Sequence, residues 1–117
     1  MQRVFKTRSF SSRAEKCGIS DIELCQALQE IRQGKADDLG GGVWKKRLNE
    51  NRHRSIILAK GRHYWVYQFL FAKQNQDNIT QKELMAFRKL AKIYEGLTPE
   101  QVQHLLDGRE FTEICHE

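Results

Sequence analysis

A nine-residue run, "YWVYQFLFA" from Tyr64 to Ala72, is apolar on both parities of a two-residue repeat. A strand with one wet face alternates apolar with polar side chains, whereas one without alternation must be covered on both faces. The run therefore predicts a central strand. Two neighbours, Val43 to Leu48 and Arg54 to Lys60, are also rich in β-branched and aromatic residues, and a turn around Gly61-Arg62 links the second to the central run as a hairpin. Together they predict a three-stranded meander.

Helix signals flank it. A short helical stretch from Ser9 to Lys16 stops at Gly18. Ser20-Asp21-Ile22-Glu23 is a capping box, in which the serine oxygen takes an orphan amide and the glutamate reaches back to another. After it Ile22, Cys25, Leu28 and Ile31, joined by Leu24, share a face as far as Gly34. The same device opens Thr80-Gln81-Lys82-Glu83 and Thr98-Pro99-Glu100-Gln101. The first leads a helix with Leu84, Phe87, Leu90, Ala91, Ile93 and Tyr94 on its apolar stripe, ending near Gly96. The second leads a shorter one with Val102, Leu105 and Leu106, ending at Gly108. With an N-terminal strand from Arg3 to Thr7 and a terminal strand through Phe111 to Cys115, the expectation is an α+β fold: helices on a small, twisted, mainly antiparallel sheet. At 117 residues, 39% of them hydrophobic, the chain forms one domain over 1–117.

Composition removes several classes. One proline and no repeat exclude disordered, collagen-like and solenoid chains. The N-terminus lacks the apolar core of a signal peptide and no run is long enough to span a membrane, so the expected location is the cytoplasm. Cys17, Cys25 and Cys115 are odd in number without C-x-x-C spacing, which predicts reduced packing thiols. Asp37-Asp38 lacks a histidine or third carboxylate at ligand spacing, so neither metal nor cofactor is expected. The sequon Asn78-Ile79-Thr80 has no bearing on a cytoplasmic protein.

The net charge of +5 is unevenly placed. Between Val43 and His63 seven cations (Lys45, Lys46, Arg47, Arg52, Arg54, Lys60, Arg62) meet one anion, Glu50, while the segment after Lys73 is mildly acidic. A field concentrated this way suits phosphate. The segment opens with Gly40-Gly41-Gly42, but no G-K-[ST] follows and a strand comes next, so the glycines form the entry to a strand rather than a nucleotide loop. Alternation sends Lys45 and Arg47 one way and Trp44, Lys46 and Leu48 the other. Antiparallel pairing then brings Lys45, Arg47, Arg54 and Lys73 towards one region, where a cluster of this kind can hold a phosphate and stabilise charge gathering on it.

Several stretches taken together resemble the RelE/ParE toxin superfamily, and most closely its HigB-like RelE toxins. They are the R-V-F-K-T strand, the Leu39 to Leu48 block L-G-G-G-V-W-K-K-R-L, Arg54 opening the next strand, and Phe71 to Ile79 before a K-E-L helix. The resemblance covers residues 3 to 115. It implies the toxin of a type II toxin-antitoxin module: a metal-independent mRNA endonuclease acting in the ribosome, neutralised by a cognate antitoxin, often of helix-turn-helix type. It further implies phosphate-binding or base roles for Lys45, Lys46 and Arg47, transition-state stabilisation by Arg54 and RNA contact by Lys73, with Asn75, Asp77 and Asn78 at the rim. Arg52, Lys60 and Arg62 from the basic segment, His53 as a proton donor and Tyr64 as a stacking ring complete the RNA-binding candidates. Where the family often reads K-x-E-R-D-N-I, Gln76 stands in place of the arginine. Two alternatives stay open: a ParE-like protein that binds gyrase and cleaves nothing, and a basic RNA- or antitoxin-binding member without catalysis.

Overall fold

The structure, a computed structural model, describes residues 2–61 and 63–116. Arg62, one of the RNA-binding candidates, lies outside them. In chain order the elements are β1 (Arg3–Thr7), α1 (Arg8–Lys16), α2 (Asp21–Arg32), β2 (Asp37–Asp38), β3 (Val43–Leu48), β4 (His53–Leu58), β5 (Tyr64–Ala72), α3 (Gln81–Glu95), α4 (Pro99–Asp107) and β6 (Phe111–Ile114). The strands make one sheet in the order β2-β3-β4-β5-β1-β6. Only β1 and β5 run parallel; the other pairs are antiparallel, and the fold is α+β. No helix among the described residues is long and apolar enough to cross a membrane.

The absence of alternation in β5 has the expected cause. Trp65, Tyr67 and Leu70 enter the core beneath α1 and α2, whereas Phe71 enters a second core beneath α3 and Val66 a third beneath α4. Each such apolar side chain contributes about 1.5–3 kcal/mol when fully buried. β1 behaves alike: Val4 packs towards α1 and α2, Phe5 towards α4. A bulge between Ile56 and Ile57 leaves Gln68 unmatched on β5. Its amide oxygen accepts from the Tyr94 hydroxyl at 2.8 Å, tying α3 to the sheet, and burial pushes that phenol up to about 12.

Three expectations need correction. The buried stripe of α2 is Leu24, Ala27, Leu28 and Ile31, not the one through Ile22, which is 72% exposed because it lies off the face that packs into the core. On α3, Ile93 is likewise exposed, at 61%, since Leu84, Phe87, Leu90 and Ala91 already cover the strands. The cysteines are not all reduced: Cys25 and Cys115, 90 residues apart, form a disulfide, and only Cys17 is free. β6 returns beside β1 and sends Ile114 into the core under α2, which carries Cys115 to Cys25. That proximity is a tertiary fact with no trace in residue spacing.

The helix starts add a fourth difference. Thr80 with Glu83 and Thr98 with Gln101 form complete capping boxes. At α2 only half a box forms: Ser20 Oγ accepts from the Glu23 amide, while the Glu23 carboxylate turns away and accepts from the backbone amide of Asn49. A local capping bond is exchanged for one that holds the loop between β3 and β4.

Candidate functional site

Strand alternation and register sort the cations. Lys45 lies opposite Ile56 and Arg47 opposite Arg54, and Arg54 faces Phe71 on β5. Lys45, Arg47 and Arg54 thus share the α3 face of the sheet, beyond the part that α3 covers. Lys46 lies on the other face and pairs with Glu30 of α2 at 3.2 Å. Lys73, just past β5, lies beside Arg52 through the bond from its amide to the Arg52 carbonyl, 2.9 Å.

What separates these residues chemically is whether an acid already neutralises them. Lys45 approaches Asp37 at 3.7 Å and donates to Asn78 Oδ1 at 3.3 Å, and Arg52 pairs with Glu50 at 3.1 Å. Among the described residues no carboxylate lies within ion-pair distance of Arg47, Arg54 or Lys73. Arg54 is the most telling, because it is only 6% exposed. Its Nη1 donates to the carbonyls of Asn51 and His53, at 2.9 and 3.2 Å. A nearly buried guanidinium with no counter-charge, facing a second arginine across the strand pair, is an expensive arrangement. An incoming anion removes the cost.

The loop that Arg54 supports is itself strained. Asn49, Glu50 and Asn51 all have positive φ (54°, 53° and 71°). Asparagine tolerates this region, but three such residues in succession cost on the order of 1–2 kcal/mol each and need external support. Glu23 holds the first through its amide and Arg54 the last through its carbonyl. Between them Asn49 Nδ2 contacts His53 Nδ1 at 3.1 Å. The amide nitrogen can only donate, so the contact suits the tautomer that accepts on Nδ1. His53 borders a cleft of about 540 Å³ with Asn51, Arg52, Lys73, Gln74 and Asp77.

The remaining candidates are dispersed. Asn78 is drawn to Lys45, while Gln76 donates its amide to the Asn78 carbonyl at 2.9 Å and so braces the loop before α3. Asn75 lies exposed in the same loop. Tyr64 stands at the opposite end of β5 from Lys73, where its hydroxyl donates to the Leu97 carbonyl and its ring packs on Phe5. Lys60 is exposed beyond β4, against Gly42. The glycine run is a turn braced by α3: all three glycines have positive φ, and Arg88 donates to the carbonyls of Leu39 (2.6 Å) and Gly40 (3.3 Å).

Sequence reasoning missed Glu23, Asn49 and Asn51, which position the site without being charged towards RNA. The Asn-Glu-Asn triplet is the signal that was there to read, since asparagine is enriched in left-handed backbone. It also missed Arg13, which donates to the Leu70 carbonyl on the open edge of β5 at 3.2 Å while its guanidinium lies over Phe69.

The chain is a small α+β protein whose sheet, with helices on both faces, carries Arg47 and Arg54 without an ion-pair partner among the described residues. Residues 2–114 match the family described as RelE toxin of RelE / RelB toxin-antitoxin system, and the chain belongs to that family. It matches no curated protein and no solved structure.

Proposed function

We propose that the protein is a metal-independent endoribonuclease of the HigB-like group that cuts mRNA in the translating ribosome, and that a helix-turn-helix antitoxin neutralises it in the cytoplasm. The observation that carries this reading is the trio of Arg47, Arg54 and Lys73, cations gathered at one end of the sheet with no acid among the described residues to neutralise them. Arg47 and Arg54 grip the scissile phosphate and stabilise the charge that develops when the 2′-oxygen attacks. Lys45, held by Asp37 and Asn78, takes the 2′-hydroxyl proton in its free-amine form; His53, once protonated on both ring nitrogens, returns one to the leaving 5′-oxygen and is left as the neutral ring. Lys73 and Arg52 hold the flanking backbone. Lys46, neutralised by Glu30 on the far face, supports the strand rather than the reaction.

Gln76 favours a second reading, a binder without catalysis, because its amide is committed to the Asn78 carbonyl and adds no charge to the face. One experiment separates the two. Purified protein is added to a cell-free translation reaction with a defined message, with naked message in parallel, and new 5′ ends are mapped by primer extension. The nuclease cuts translated message, and R47A and R54Q each slow cutting by about 100-fold or more. Intact message with the wild-type protein overturns the nuclease reading and leaves the binder.

A further inference from the structure

The disulfide lies outside the cation face, and no step of the proposed cleavage uses it. Cys25 sits on α2 between Glu23, which holds the strained loop through Asn49, and Glu30, which holds β3 through Lys46. Cys115 follows the last paired residue of β6, since the register with β1 ends at Val4 and Ile114. Its backbone is left-handed, with φ 59°, a conformation that residues other than glycine and asparagine adopt under constraint. Cys115 makes its bond to Cys25 from that conformation. Both cysteines are half-buried rather than sealed in, so small reagents reach them.

We propose that Cys25–Cys115 is a reversible thiol–disulfide modification site, exchanging with small-molecule thiols and disulfides, and that its state sets how firmly α2 holds the Asn49–Asn51 loop beside Arg54. In the oxidising direction a Cys25 thiolate attacks a small disulfide RSSR, forming a mixed disulfide and releasing one RS⁻. The Cys115 thiolate then attacks Cys25 Sγ and releases the second. Two protein thiols lose two protons and two electrons, and RSSR becomes two RSH. Reduction leaves α2 seated by Leu24, Ala27, Leu28, Ile31 and the bond from the Tyr67 hydroxyl to the Leu24 carbonyl, 2.6 Å, so the fold survives. The covalent tie to the C-terminal strand is lost, and Cys115 relaxes to extended backbone.

The test is independent of RNA cleavage and so of the nuclease reading. The full chain is equilibrated with oxidised glutathione or with dithiothreitol, and each sample is trapped in acid, freed of the small thiol or disulfide and labelled with maleimide in denaturant near pH 7 for mass spectrometry. The oxidised protein takes one label, on Cys17; the reduced protein takes three. Reduction lowers Tm by about 10 °C, as expected when a loop of about 90 residues is no longer closed. It also speeds amide exchange at Asn49–Asn51 while leaving β5 protected. The C25S/C115S double variant matches reduced wild type and no longer responds to dithiothreitol; C17S responds as wild type does. Three labels after oxidation, an unchanged Tm, unchanged exchange at Asn49–Asn51, or a C17S variant that has lost the response each overturn the proposal.

Discussion

At the scale of single residues, the site is built from charges set against stability. Arg47 and Arg54 oppose each other across β3 and β4, where like charges cost about 0.2–1 kcal/mol, and no carboxylate among the described residues offsets them. Replacing exposed Arg47 by threonine, a strong strand former, therefore stabilises the fold by a few tenths to about 1 kcal/mol in urea unfolding while weakening RNA binding. Loss of stability in R47T would show that the repulsion is absent. Alternation along "VWKKRL" was enough to separate Lys45 and Arg47 from Lys46. It could not show that Glu30 neutralises Lys46, because that partner lies on a helix whose angle to the sheet is a tertiary outcome.

At the scale of elements, the helix caps were legible and their exceptions were informative. Two boxes close as the sequence pattern requires, and the third opens so that Glu23 can hold Asn49. The glycine run shows the same contrast between local rule and local surroundings. Gly34 and Gly42 have nearly the same φ, 86° and 85°, but a Cβ on Gly34 meets open space, whereas one on Gly42 would lie 2.5 Å from the Lys60 Cβ and 2.9 Å from its backbone. Both G34A and G42A pay the backbone strain of about 1–2 kcal/mol. G42A also clashes with Lys60 just past β4, so it loses at least about 1 kcal/mol more than G34A in parallel denaturant curves. Equal losses would mean that the turn yields freely and that Arg88 does not clamp it.

At the scale of the whole molecule, the two ends of the chain are fastened side by side, through β1 and β6, the disulfide and one ion pair. Arg3 binds Glu113 through both carboxylate oxygens, at 2.9 and 2.8 Å, and the hydrogen bond holds the Glu113 carboxyl below its ordinary value of 4.5. A carboxyl lowered in the folded state stabilises above its unfolded pKa and ceases to do so as pH falls through the folded one. E113Q should therefore be less stable than wild type at pH 7, by less than about 1 kcal/mol because the pair is partly exposed and screened, and the gap should narrow as pH falls below the ordinary carboxyl value and close once it passes the lowered one. A gap that does not change as the pH is lowered would assign the effect to packing. By itself the sequence determined every element but the two-residue β2, together with the central strand and the face that carries the cations, because apolar period, capping chemistry and alternation act within a few residues. Tertiary structure alone decided which cations keep their charge unpaired, that Cys25 meets Cys115, and that Glu23 leaves its cap for Asn49. Each of those depends on segments far apart in the chain being brought within bonding distance, and no local pattern records such distances.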